Sequence, residues 1–178
     1  MLLQNEHIRL RKVEPQDLPF LYLWENDTAE WGSGDTHNPL SQKDLRDYIE
    51  RSTGDVYKDG QLRLIIETAE GTTAGCIDMY DFDPHNRRSA VGIYIDSAFR
   101  RKGIGQEAVR LLEEYAFCFL HVRMLYSFVA AANKKSAHFF ASCAWQQVST
   151  LPYWLQNSDV FVYQRITPLL QESVSREF

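Results

Sequence analysis

Residues Val91 to Phe117 read VGIYIDSAFRRKGIGQEAVRLLEEYAF. The opening residues alternate, with Val91, Ile93 and Ile95 on one side and Ala90, Gly92 and Tyr94 on the other, the period-two pattern of a strand. A different period follows, and a long helix is expected from near Lys102. Ile104, Ala108, Leu111, Leu112, Tyr115 and Phe119 fall at i, i+4, i+7, i+8, i+11 and i+15, a helical apolar stripe. Strand and helix are joined by Arg100-Arg101-Lys102-Gly103-Ile104-Gly105. Two glycines here permit unusual dihedrals and close approach of backbone N–H groups. The helix start adds unpaired N–H groups and the positive end of the helix dipole, and three cationic side chains precede it. The combination suits a pyrophosphate. A tight strand-to-helix turn with exposed basic residues is the second reading, and local physics does not separate the two. Two other nucleotide cradles are excluded: no G-x-x-x-x-G-K-S/T occurs, and the third glycine of the dinucleotide fingerprint is missing.

Upstream, His7 to Val13 alternates as a first strand. Pro15 opens a helical turn, and Leu18, Leu21, Tyr22 and Trp24 suit an amphipathic helix. Thr28 to Pro39, with Trp31, Gly32, Gly34 and His37, reads as a loop with aromatic anchors. Ser41 followed by Asp44 caps a helix carrying Leu45, Tyr48 and Ile49. Asp59-Gly60 and Glu70-Gly71 mark turns before strands at Gln61 to Glu67 and Thr73 to about Tyr80. Asp81 to Asn86 reads as a polar turn before the strand Arg87 to Ile95. Downstream, Met124 to Ala130 is a buried strand, and Asn133 to Ala144 a short helix with Ala137, Phe140, Ala141 and Ala144 on one side. Strands at Gln146 to Trp154 and Val160 to Ile166 follow, joined by Asn157-Ser158-Asp159. The pattern is mixed α/β with an antiparallel meander and a crossover. No repeat or low-complexity linker divides it, so residues 1–167 read as one domain and 168–178 as a C-terminal tail.

The chain has 178 residues, 44% hydrophobic and 24% charged, ordinary for a globular protein, with a high aromatic content of 13%. A net charge of −5 argues against nucleic acid as the main ligand and is compatible with a cationic acceptor or with plain solubility. Cys76, Cys118 and Cys143 are odd in number and lack metal-ligand spacing, which predicts free thiols and no metal site. MLLQNEHIRLRK lacks the apolar stretch of a signal peptide, and no run approaches the roughly 18 apolar residues of a membrane span. A cytoplasmic protein without a membrane partner is expected.

Arg100-x-x-Gly103-x-Gly105 resembles the Q/R-x-x-G-x-G/A acyl-CoA motif of the Gcn5-related N-acetyltransferase (GNAT) family. The surrounding stretch is similar to the branch holding ribosomal-protein alanine and spermidine/diamine acetyltransferases. NKKSAHFFASCAW, from Asn133 to Trp145, is similar to that branch's N-x-x-S/A helix. The resemblance runs from about Ile8 to Ile166. It implies a mostly antiparallel, twisted sheet of six to seven strands with about four helices. It also implies transfer of an acetyl group from acetyl-CoA to a primary amine: a polyamine, a small amine or a protein N-terminus. The pyrophosphate role would fall on Arg100, Arg101, Lys102, Gly103, Ile104 and Gly105, with Gln106 at the helix start. A backbone amide of the preceding strand, from Tyr94 or Ile95, would polarise the acetyl carbonyl. The strand Met124 to Ala130 would splay away and leave a gap for the thioester arm. Asn133 would contact the pantetheine, although a helix N-cap alone also explains an asparagine there.

Two departures accompany the resemblance. Phe140 stands where relatives have a tyrosine acid, and is left to line the coenzyme pocket. Ala90 stands where many relatives have a glutamate. Asp78 and Tyr80, with Asp81, Asp83 and His85 beyond, are substitutes for the base, and Ser136 and Tyr126 for the acid. Glu25, Glu30 and the loop Trp31 to His37 fall on the acceptor side, while Trp24 nearby, which fits its helix stripe, is read first as core. The missing proton handlers also motivate a second expectation, an acyl-CoA-binding sensor or regulatory module. A homodimer is expected by analogy.

Overall fold

The computed structural model describes residues 3–28, 38–155 and 158–168. The expected aromatic loop Trp31 to His37, with Glu30, lies outside them, as do Asn157 and the tail beyond Pro168. Seven strands form one sheet in the order β1-β2-β3-β4-β5-β7-β6. They are β1 Ile8–Lys12, β2 Leu62–Thr68, β3 Thr73–Asp83, β4 Arg88–Ile95, β5 Met124–Ala130, β6 Gln146–Leu155 and β7 Ser158–Ile166. The helices are α1 Leu18–Glu25, α2 Gln42–Arg51, α3 Val56–Asp59, α4 Ile104–Glu114 and α5 Lys134–Ser142. Every strand pair is antiparallel except β4 with β5.

The alternation of β4 sorts its side chains onto two cores. Val91, Ile93 and Ile95 join Ala108 and Leu112 of α4 in the larger one. Tyr94 packs on the opposite face with Leu21 and Trp24 of α1 and Leu45 of α2. Trp24 is therefore a core residue, 7% exposed. α2 begins as its sequence requires. Ser41 Oγ accepts the Asp44 N–H at 3.1 Å, and the Asp44 carboxylate accepts the Ser41 N–H at 2.9 Å. Such a cap is worth about 1 kcal/mol. Below the sheet edge, Arg11 donates to both Asp17 carboxylate oxygens at 2.7 and 2.8 Å and to Glu67 at 2.6 Å. This ties the turn before α1 to β1 and β2.

Three local readings are corrected. Asp59-Gly60 ends the short helix α3, capped by Asp55 and closed by Gly60 at φ 68°, rather than forming an isolated turn. The stripe on α4 does not continue to Phe119. After Glu114 the chain makes a π turn, Tyr115–Phe119, with the Leu120 N–H donating to Tyr115 O at 3.1 Å. The wider turn shifts the phase, so Ala116 and Phe117 face inward while Phe119 is 59% exposed. On α5, Phe140 is buried, but Ala141 and Ala144 are exposed. Among the described residues no helix is long and apolar enough to cross a membrane.

Candidate active site

β4 and β5 pair at only three positions, Arg88↔Met124, Ser89↔Leu125 and Ala90↔Tyr126. β4 then runs on to Ile95 paired only with β3, while β5 stays with β7 as far as Ala130↔Val160. The strands part into a wedge, and a cleft of about 900 Å³ opens there. Its walls are Val91 to Tyr94 of β4, Ser127 to Ala130 of β5, and Asn133, Ser136 and Phe140 at α5. It extends to Glu25, Tyr48, Arg63, Asp78 and Tyr80 on the side of α1 and α2.

Ladder geometry decides which amides face the wedge. The Asp96 N–H donates to Ala74 O at 2.9 Å. Bonded pairs alternate along an antiparallel ladder, and the register Cys76↔Tyr94 and Asp78↔Gly92 is unbroken here. The Tyr94 and Gly92 amides therefore point at β3, and those of Ile93 and Ile95 point toward the wedge. Tyr94 is thereby corrected as a backbone donor. Its ring instead lies 5.3 Å from that of Trp24, with the Arg100 guanidinium 5.6 Å from its centroid. The Ile95 carbonyl accepts from Arg100 Nε at 2.7 Å. Ile93, which sequence reasoning missed, lines the cleft itself.

The two glycines of the loop have different reasons. Gly103 adopts φ 83° as the residue before α4, with no side chain capping the helix, and a Cβ built on it would meet nothing within 4 Å. The first N–H groups of α4 therefore have no side-chain cap at Gly103, and Arg101, two residues earlier, adopts φ 61°. That is the arrangement a diphosphate requires. A Cβ at Gly105 would stand 2.9 Å from Phe139 Cε2 and 3.4 Å from Ile95 Cγ1, so this glycine lets α5 pack on the helix start. Lys102 Nζ lies 5.3 Å from the Phe99 ring centroid. Ile104 packs on the larger core, and Gln106 Nε2 donates to Ser142 Oγ at 3.1 Å.

On α5, Asn133 Oδ1 accepts the Ser136 N–H at 3.0 Å and caps the helix. This cap uses the oxygen of Asn133 and not the donors of its side-chain amide. Phe140 is 3% exposed, 5.0 Å from the Trp145 ring and 6.0 Å from that of Tyr163. It forms the inner wall and has no proton to give.

On the other side, Asp78 accepts from Arg63 Nε at 2.8 Å and Nη2 at 2.9 Å, and Arg63 Nη1 bridges to Glu25. Burial works against the guanidinium charge, but the carboxylates of Asp78 and Glu25 outweigh it and hold its proton more tightly than in water. Ala90, fully buried, sits opposite Tyr80 of β3 on one side and Tyr126 of β5 on the other, so two tyrosines flank it. Burial pushes the Tyr126 phenol up, with Asp81 adding to it. Asp83 is taken up locally, accepting the Asn86 N–H at 2.9 Å. The turn from Asp83 to Asn86, His85 included, does not line the cleft. Among the described residues, four carboxylates, of Glu25, Asp44, Asp78 and Asp81, border the cleft against one guanidinium, that of Arg63.

Comparison with known proteins agrees with this geometry. Residues 7–146 match the model of the acetyltransferase (GNAT) domain. The spermidine N(1)-acetyltransferase of Escherichia coli K12 is 24% identical over 133 residues, 75% of this chain and 69% of that one. YdaF of Bacillus subtilis 168, proposed to be a ribosomal N-acetyltransferase, is 30% identical over 135 residues, 74% of each. The crystal structure of the Vibrio cholerae spermidine N-acetyltransferase in complex with CoA and spermine superposes with a TM-score of 0.80 at 20% identity. It covers 91% of this chain and 96% of that one. A sheet parted between β4 and β5, a glycine-started helix following β4 and a family match over most of the length place this chain among the GNAT acetyltransferases, which move an acetyl group from acetyl-CoA onto an amine.

Proposed function

We propose that this enzyme acetylates a cationic primary amine, and that the wedge between β4 and β5 is where thioester and amine meet. One observation carries the reading: a continuous cleft joins the parted strands to a basin bordered by Glu25, Asp44, Asp78 and Asp81. The amides from Arg101 to Gly105, with the positive charge of Arg100, Arg101 and Lys102, hold the diphosphate. The Asn133 amide group meets the pantetheine. The Ile93 N–H, with that of Ile95 behind it, polarises the acetyl carbonyl as negative charge develops on its oxygen. The neutral amine attacks the carbonyl carbon, a C–N bond forms, and the C–S bond breaks. Asp78 and Tyr80 border the nitrogen and carry its proton away through water, and Ser136 donates a hydrogen bond to the departing thiolate, which takes up a proton from water. The acidic basin draws the ammonium form in before it is deprotonated, the recognition a polyamine invites.

The reading extends to assembly and setting. β6 is an edge strand exposing Val148, Tyr153 and Trp154, at 49%, 91% and 61%, which supports a homodimer through that edge. Three free thiols support a reducing, cytoplasmic setting.

Ala90 and Phe140 favour a second reading, a protein that binds acyl-CoA and signals its presence. Incubation with acetyl-CoA and a panel of primary amines, following free thiol release, separates the two. Turnover above buffer identifies the enzyme. A thermal shift with CoA and no turnover identifies the sensor, and no thermal shift overturns both.

A further inference from the structure

Gly92 lies in the middle of β4, directly opposite Asp78, and forms part of the cleft floor. Nothing in its own backbone calls for glycine, since it is absent from the positive-φ positions. A glycine inside a strand weakens it relative to alanine. Packing does not call for it either. A Cβ built there would meet Tyr80 Cε1 at 3.6 Å, Asp78 Oδ2 at 3.9 Å and Asp78 Cβ at 4.0 Å, all ordinary contacts. The absent side chain leaves a hollow in the cleft, walled by a phenol ring and a carboxylate and floored by main chain. Its neighbours on the same face are closed: Ala90 is fully buried and the Tyr94 ring is packed on Trp24. The hollow is one residue along the strand from the Ile93 amide.

We infer that the hollow over Gly92 receives the unbranched aminomethyl end of the acceptor, and that Gly92 sets the acceptor's shape. This rests on the acetyltransferase reading and sharpens it. The site is narrow, since Tyr80 Cε1 and Asp78 Oδ2 lie 3.6 and 3.9 Å from the position a Cβ would take. A CH2–NH2 end fits, its nitrogen beside Asp78 Oδ2. An amine on a branched carbon, as at a peptide N-terminus, brings a second substituent against Tyr80 or Asp78. Asp78 supplies the charge that recognises the ammonium, and Arg63 holds that carboxylate in place.

The test uses the full chain, Gly92→Ala and Gly92→Ser, with spermidine, n-propylamine and isopropylamine as probes. A methyl-sized change in a pocket is worth about 10- to 200-fold. Wild type is expected to favour n-propylamine over isopropylamine by at least about ten-fold in kcat/KM. Gly92→Ala is expected to lose a similar factor for spermidine and n-propylamine, through the amine KM. Its acetyl-CoA KM should stay at the wild-type value and its melting temperature should not fall. An unchanged amine KM, or wild-type preference for isopropylamine, overturns the inference. If wild type acetylates no amine, the acetyltransferase reading fails, and the hollow is read by calorimetric titration of spermidine into the CoA-saturated protein. Binding weakened in Gly92→Ala supports it; equal binding in both, or none in wild type, overturns it.

Discussion

Gly103→Val puts a β-branched side chain on a residue at φ 83° with no atom within 4 Å of the new Cβ. Overpacking therefore contributes nothing, and the cost is the left-handed strain, about 1–2 kcal/mol. At about 2–4 °C per kcal/mol for a domain of this size, the melting temperature falls by about 2–8 °C and the protein stays folded. The larger effect appears on adding acetyl-CoA. At about 100 times Kd the ligand stabilises wild type by about 2.7 kcal/mol, a rise of about 5–11 °C. The valine methyls occupy the space above the first amides of α4. If they weaken binding ten-fold, the same ligand concentration yields only about 1.4 kcal/mol, and the rise halves. Gly71→Val is the control: Gly71 lies at φ 80°, also with no neighbour within 4 Å, in the β2–β3 turn. It carries the same strain and should keep the full rise. The assay is thermal denaturation with and without acetyl-CoA, backed by calorimetric Kd. A Gly103→Val rise equal to that of wild type would refute the diphosphate assignment.

A Cβ at Gly75 would lie 2.1 Å from Tyr94 O and 3.0 Å from Ile95 Cα, so Gly75→Ala must displace main chain. A loss of about 1–3 kcal/mol, or about 2–12 °C, is expected by thermal denaturation, together with lower kcat/KM because β4 moves at the wedge; full stability would contradict the close approach. Arg11→Met leaves Asp17, 1% exposed, without its guanidinium, and is expected to cost about 3–5 kcal/mol in urea unfolding. The same bonds, Arg11 first and then Arg9, hold the Glu67 carboxyl below its ordinary value. Glu67 thus contributes stability above the ordinary carboxylate pKa, lost as pH falls through the lowered one, and Arg11→Met should flatten that acid-side decline. Glu113 has the opposite sign. Burial pushes it up, opposed by the Trp145 indole donating at 2.7 Å and by Arg165. Its contribution is present below the ordinary carboxylate pKa and lost as pH rises through the raised one. Glu113→Gln keeps an oxygen for the indole and should remove that loss in denaturant titrations across pH; an unchanged pH profile would contradict it.

The strand–loop–helix at Val91 to Phe117 was legible because each part announces itself locally, by a change of period and by glycines. Ser41 with Asp44 declared the start of α2 for the same reason. The π turn at Tyr115–Phe119 had no such signal: its i→i+5 bond follows from packing under the sheet, and a helical stripe drawn through it misplaces Phe119. α3 is a single turn made of VYKD, too short to show a period. In the site, the glycine loop was readable from β4 and α4 alone. The choice among Tyr94, Ile95 and Ile93 was not, since it depends on which rung of the β3 ladder is bonded, a fact fixed at Asp96 and Ala74. Asp78 was visible as a carboxylate on a strand. Its clamp by Arg63, which also donates to Glu25, joins three segments distant in sequence, and no local pattern in any of them specifies it.

The three paired residues between β4 and β5 leave the sheet as two plates sharing a short hem. One plate carries Asp78, Tyr80 and the glycine loop; the other carries the wall contributed by β5 and α5. Under the proposed reading their relative tilt would set how the amine meets the thioester, and the pairs Arg88↔Met124, Ser89↔Leu125 and Ala90↔Tyr126 fix that tilt. A coenzyme arm lying across the open part would act as a stitch, stiffening strands far from its own contacts.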